Sequence, residues 1–154
     1  MATRDFTITF FVDQPPKEAF DAINNVRSWW TEELKGSSQK LNDEFTVRFF
    51  DDIQVTTQKV VELVPEKKVV WLVTKSALNF LKDKNEWKGT KICFEIAEKD
   101  SNRTQIHFTH LGLVPESECY EDCFIGWNRY INGSLLKLIT SGKGNPELKS
   151  TSII

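Results

Sequence analysis

Two histidines, three cysteines, five tryptophans and a small group of lysines are the residues of this 154-residue chain whose chemistry could define a site. His107 and His110 lie in Thr104-Gln-Ile-His-Phe-Thr-His-Leu-Gly-Leu, a segment that alternates apolar and polar residues. Parity puts Ile106, Phe108 and His110 on the inner face of a strand, and Gln105, His107 and Thr109 on the outer one. An inward histidine among aromatic residues can anchor the polar end of a ligand or move a proton, or it can simply hydrogen-bond a neighbouring element. Cys119 and Cys123 stand one helical turn apart, a spacing that metal ligands also use. No further ligand types converge on them, so they read, with Cys93, as reduced, buried thiols, and no metal or cofactor is expected. An odd cysteine count without an export signal supports the same reading.

Other chemistries find no foothold. General acid and base work needs paired groups in a concave site. Arg48 and Glu62 alternate with apolar neighbours and face away from them, as solvated residues of a sheet do. The chain has no Gly-x-Ser-x-Gly elbow, no phosphate-binding glycine loop and no His-Glu-x-x-His sequence, so no catalytic residue is assigned. Lys75, Lys82, Lys84 and Lys88 form a modest basic cluster that could at most favour an anionic head group. Twenty basic and 22 acidic residues are scattered evenly, giving a net charge of -2, so no field exists to gather nucleic acid. No stretch approaches the roughly 20 apolar residues of a membrane span, and Met1-Ala-Thr-Arg-Asp is not a secretory signal. A cytoplasmic protein is expected, with neither nucleic acid nor membrane as partner.

The elements that must position these residues follow from periodicity. Residues 5–12 alternate and put Phe6, Ile8, Phe10 and Val12 on one face of a first strand. Pro15-Pro16-Lys-Glu opens a short helix with Ala19, Phe20 and Ile23 inward, and a second helical turn carries Trp29 and Trp30. The segment around Gly36-Ser-Ser reads as a loop. Five strands follow, at 44–50, 53–64, 68–75, 90–98 and 103–112, joined by turn signals at Asp51-Asp52, Pro65-Glu-Lys-Lys and Asp100-Ser-Asn, with a longer flap at 76–89. A helix is expected over 116–141, opened by Pro115 and capped by Gly142. Its apolar stripe is Tyr120, Cys123, Phe124, Trp127, Ile131, Leu135 and Leu138. One domain over residues 1–142 and a polar tail over 143–154 complete the expectation.

This order is that of the helix-grip arrangement, and local motifs sharpen it. Lys59-Val-Val-Glu-Leu-Val-Pro-Glu-Lys-Lys-Val-Val-Trp, Trp87-Lys-Gly-Thr, Thr109-His-Leu-Gly-Leu and Gly126-Trp127 followed by Ser134-Leu resemble the START-like SRPBCC superfamily. Within it the chain is similar to homologues of the activator of the heat-shock-protein-90 ATPase, over about residues 5 to 141. The resemblance implies an α+β fold: a six-stranded antiparallel sheet wrapped around one long C-terminal helix, with two short helices after strand 1. It also implies an apolar cavity, the feature shared by lipid carriers, hormone receptors and polyketide cyclases of the superfamily. The authentic co-chaperone carries an additional N-terminal domain for which this chain has no room.

The expected function is therefore a non-catalytic domain holding a small hydrophobic ligand. The residues expected to line its pocket are Phe10, Phe49, Trp71, Phe94, Phe108, His110, Phe124, Trp127 and Ile131. One alternative is an interaction module with a chaperone as partner. The other is a cyclase- or hydratase-like enzyme built on His110, which requires a polar cluster around that ring.

Overall fold

The computed structural model describes residues 5–49, 52–99 and 103–147. The expected turns at Asp51 and at 100–102, the residue Phe50 and the tail beyond 147 lie outside them. Seven strands form one antiparallel sheet in the order β1-β7-β6-β5-β4-β3-β2. They are β1 (Phe6–Val12), β2 (Leu34–Gly36), β3 (Glu44–Phe49), β4 (Gln54–Val64), β5 (Lys68–Leu78), β6 (Lys91–Lys99) and β7 (Arg103–Leu111). The helix α1 (Pro16–Asn24) and a 3-10 turn at Val26–Ser28 separate β1 from β2.

Burial follows the period of two in β1, β3 and β7, whereas β4, β5 and β6 each bury three consecutive residues. In β1, Phe6, Ile8, Phe10 and Val12 are buried while the residues between them are exposed. In β7 the buried set is Thr104, Ile106, Phe108 and His110. β1 and β7 pair with Ile8 opposite Phe108 and Phe6 opposite His110, so both inward rows reach the same core. Register shifts at Thr57/Gln58 and Val60/Glu62 in β4 mark bulges, which bend a strand and raise its twist.

The expected six strands become seven because Leu34-Lys-Gly pairs with Val47, Thr46 and Phe45 of β3. Gly36 makes that pairing feasible. Its φ is +100°, and a Cβ there would collide with the Glu44 carbonyl. β5 also continues to Leu78, three residues beyond the expected end, so the flap shortens to 79–90.

The C-terminal helix runs as α2 (Tyr120–Trp127), a π-helical segment (Asn128–Leu135) and α3 (Leu136–Ser141), ending at Gly142 in the left-handed conformation. It begins four residues later than expected. Val114 and Ser117 form a local turn, and the N–H groups of Glu118 and Cys119 are taken by a carboxylate from the flap. Cys123, Trp127, Ile131, Leu135 and Ile139 are the buried row, every fourth residue. An ideal α-helix drifts about 40° per four residues, and the wider i→i+5 turns of the π segment compensate that drift. Phe124 consequently leaves the inner stripe. It is 48% exposed and packs edge-on against Phe6 beside β1.

Residues after Gly142 fold back onto the body. Asn145 N–H donates to Ser134 Oγ, Glu147 bridges to Thr31, and Tyr130 Oη donates to the Glu147 carboxylate.

Candidate functional site

All five tryptophans enter one contiguous column of buried rings. Trp87 stacks on Trp127 at 5.7 Å, Trp127 meets Trp30 at 5.1 Å, and Trp30 stacks on Trp29 and Trp71 at 5.9 and 6.2 Å. Phe45 and Phe94 close edge-on around Trp71, and Phe108 lies tilted against Trp127. Four segments supply the column, the turn after Val26–Ser28, β5, the flap and α2, and sequence spacing therefore carries no sign of it. Full burial of each such side chain contributes about 1.5–3 kcal/mol, so the column is a large part of what holds helix to sheet.

One end of the column opens on a cleft of about 310 Å³. Its floor is Trp30, Phe49, Trp87 and Trp127, each buried to within a few per cent. Ile53 and Phe80 on one side and Ile125 on the other form its mouth; Ile125 is 65% exposed. Gln54, Asp122, Arg129 and Tyr130 are its polar members, and Cys119, Cys123 and Gly126 complete the helix wall. The cleft thus lies between the C-terminal helix and the flap, at one end of the sheet.

The flap is held to the helix by a reciprocal pair of carboxylates. Glu86 accepts the N–H groups of Glu118 and Cys119 at 2.6 and 2.8 Å, satisfying donors that a helix start leaves open. Glu118 in turn accepts the N–H groups of Lys82 and Asp83 at 2.9 and 3.1 Å, and these bonds hold its carboxyl below the ordinary range.

The nine residues expected to line a pocket divide into three groups. Phe49 and Trp127 line the cleft. Phe10, Trp71, Phe94, Phe108, His110 and Ile131 sit behind it in the close-packed core, and Phe124 lies on the surface near β1. Sequence reasoning missed Trp30 and Trp87 as floor residues and Ile53, Phe80 and Ile125 as the mouth. The Ser76-to-Gly89 flap signal was the available pointer, since a long insertion between strands tends to cover something.

His110 is completely enclosed. Trp127 Nε1–H donates to its Nδ1 at 3.0 Å, which fixes the remaining proton on Nε2. Nε2 lies 2.9 Å from Thr90 Oγ1, and the Thr90 hydroxyl donates to the Trp87 carbonyl at 2.6 Å. Burial drives the imidazole pKa down to about 3, so the ring is neutral. The histidine is a link between helix, sheet and flap. Both of its nitrogens are engaged and it does not reach the cleft. His107 lies outside, with Nδ1 2.7 Å from Thr9 Oγ1 across the β1–β7 pair. Arg48 pairs with Asp52 and Glu62 with Lys68, as solvated residues.

The cysteines correct one expectation. Cys119 and Cys123 are joined by a disulfide and are not reduced thiols. Their one-turn spacing at the helix start, with Cα atoms 5.6 Å apart, is within bridging range. Cys93 remains free and buried, its thiol pushed up to about 11 by burial and by Glu95. Among the described residues no group of three or more His, Cys, Asp or Glu side chains could hold a metal ion. No described helix is long and apolar enough to cross a membrane.

No protein-family model and no curated protein sequence matches the chain. Solved structures do. The Aha1 dimer from Colwellia psychrerythraea superposes with a TM-score of 0.72 at 23% identity, over 91% of this chain and 98% of that one. PFC0360w, an HSP90 activator from Plasmodium falciparum, gives 0.62 at 20% identity, over 88% and 94%. DynU16, a protein of the dynemicin biosynthetic locus, gives 0.69 at 12% identity over 96% of this chain, which spans about half of DynU16 (52%). Together with the sheet gripping its C-terminal helix, these likenesses show that the chain has an Aha1-like, START-like fold.

Proposed function

We propose that this chain is a cytoplasmic, non-catalytic binding domain that takes a small apolar ligand, a flat molecule of one or two rings, into the cleft between flap and helix. The observation that carries this reading is the floor of four aromatic side chains beneath a cleft of about 310 Å³, the lower end of the usual range for ligand sites. Apolar area removed from water supplies affinity, and Gln54, Tyr130 and the Asp122 and Arg129 rim give a ligand's polar end a choice of partners. Phe49 and Trp127 touch the ligand in this reading, and Phe10, Trp71, Phe94, Phe108, His110 and Ile131 form the rigid layer that holds the floor in place. His110 acts as a positioning residue, since its enclosure leaves no path for a reacting group.

Native mass spectrometry of the purified full chain tests the reading. A co-purifying or added aromatic ligand bound one to one is the expected result. A chain that stays empty across fatty acids, flavonoids and polyketide-like aromatics counts against it.

A second reading is favoured by the exposed apolar mouth, Ile53, Phe80 and Ile125, and by the likeness to an HSP90 activator. Here the same rim docks on a chaperone. Stimulation of a chaperone ATPase by the purified chain, lost in Ile125→Asp, would put this reading first.

A further inference from the structure

We propose that Cys119 and Cys123 are a thiol–disulfide pair that gates the cleft, the bonded form accepting an apolar ligand and the dithiol form accepting it less well. The proposal rests on the reading of the cleft as a ligand site and adds its regulation. Both cysteines line the cleft, at 1% and 7% exposure, and their bond closes the first turn of α2. The same turn is the anchor of the flap, because Cys119 N–H is one of the two donors held by Glu86. Cleft wall and flap attachment therefore share one covalent ring.

The consequence of breaking it follows from size. Bonded sulfurs lie about 2 Å apart, and two thiols must separate to van der Waals contact. Both residues are otherwise buried and both line the cleft, so the free volume available to a displaced sulfur is the cleft itself. Reduction narrows the cleft and frees the turn that holds the flap.

The chemistry is ordinary exchange. The thiolate of a low-molecular-weight thiol attacks one sulfur, forming a mixed disulfide, while the other cysteine leaves as a thiolate and takes a proton. A second thiolate attacks the mixed disulfide, releasing the small disulfide and the second cysteine thiolate, which is protonated. Two electrons and two protons reach the protein, and two small thiols become one disulfide. A low-molecular-weight disulfide drives the reverse. In a reducing compartment a protein disulfide of this kind is conditional on oxidant. Cys93, on β6 and away from the cleft, provides an internal control.

The full chain is equilibrated with oxidised glutathione or with dithiothreitol, alkylated after denaturation and weighed. One alkylated cysteine is expected in the first case and three in the second. Each form is then titrated with the dye 1-anilinonaphthalene-8-sulfonate. The dithiol form should bind at least about fivefold more weakly, the low end of coupling between linked sites. A Cys119→Ser, Cys123→Ser double variant should match the dithiol form in either buffer, and Cys93→Ser should match the parent. Three alkylated cysteines after oxidation would overturn the proposal. So would equal dye affinity of the two forms with the bond confirmed by mass, which leaves the ligand cleft standing. Failure of both forms to bind the dye or any apolar ligand removes the cleft reading itself, and the gate with it.

Discussion

At the scale of single residues, His110 shows how a buried polar group becomes a structural joint. Its neutral ring is bonded on both sides, and protonation would place a charge in an enclosed site with Nδ1 already occupied by an indole N–H. The pH dependence has a definite sign. The folded pKa, about 3, lies below the ordinary 6.5, so the unfolded chain binds the extra proton between those values. The contribution of His110 is fully present above about pH 6.5 and is lost as the pH falls towards 3, at up to about 1.4 kcal/mol per unit. Urea melts between pH 7 and 5 should show this slope in the parent and its reduction in His110→Gln. An unchanged slope would mean that the ring titrates normally and is not enclosed. Trp127 can be read the same way. Trp127→Ala should cost about 3–5 kcal/mol of stability for a fully buried ring, and a midpoint unmoved in urea would place that ring on the surface. Trp127→Phe, which keeps a ring and strands His110 Nδ1, should cost about 1–3 kcal/mol.

Among the elements, the flap and the C-terminal helix are the pair that makes the cleft. Glu86→Ala removes two charge-assisted bonds from a half-buried carboxylate and should lower stability by about 1–2 kcal/mol. Its distinguishing sign is local: amide hydrogen exchange should quicken through residues 81–90 and at the start of α2 ahead of the strands. Uniform acceleration across the sheet would show that the clamp is not a local tie. These elements also explain what could be read from the amino-acid order. Strands β1 and β7 were legible because alternation reports directly which side is buried. β2 was not, since three residues ending in glycine carry no period. The helix start was misplaced because its cap, Glu86, arrives from a loop 32 residues away, and local signals such as Pro115 and Glu116 pointed earlier. Phe124 was assigned inward because a 3.6-residue period was applied across a helix whose π segment keeps a four-residue period. Phe10, Phe49, Trp71, Phe94, Phe108 and Trp127 are interior, as their spacing predicts. What sequence could not say is that they fill the interior, with the apolar cleft set at the flap end.

For the whole molecule, the tryptophan column converts a curved sheet and a helix into a rigid body with an apolar cleft at its flap end. A cavity running the length of the sheet would be costly to keep open without an occupant, and large rings from four segments remove that cost. The column also makes the protein its own reporter, because Trp30, Trp87 and Trp127 form the cleft floor and adjoin the other two rings. Gly126 offers the most direct test of the claim that this end is a ligand site. It lines the cleft on the helix wall, and a Cβ placed there meets nothing within 4 Å. Gly126→Leu should fill the cleft while strengthening the helix by about 1 kcal/mol, since leucine is a far better helix former. Titration of both proteins with 1-anilinonaphthalene-8-sulfonate, followed by tryptophan quenching, should show saturable binding to the parent and its loss in a Gly126→Leu variant that melts no lower. Equal binding by the two proteins would contradict the assignment of the cleft.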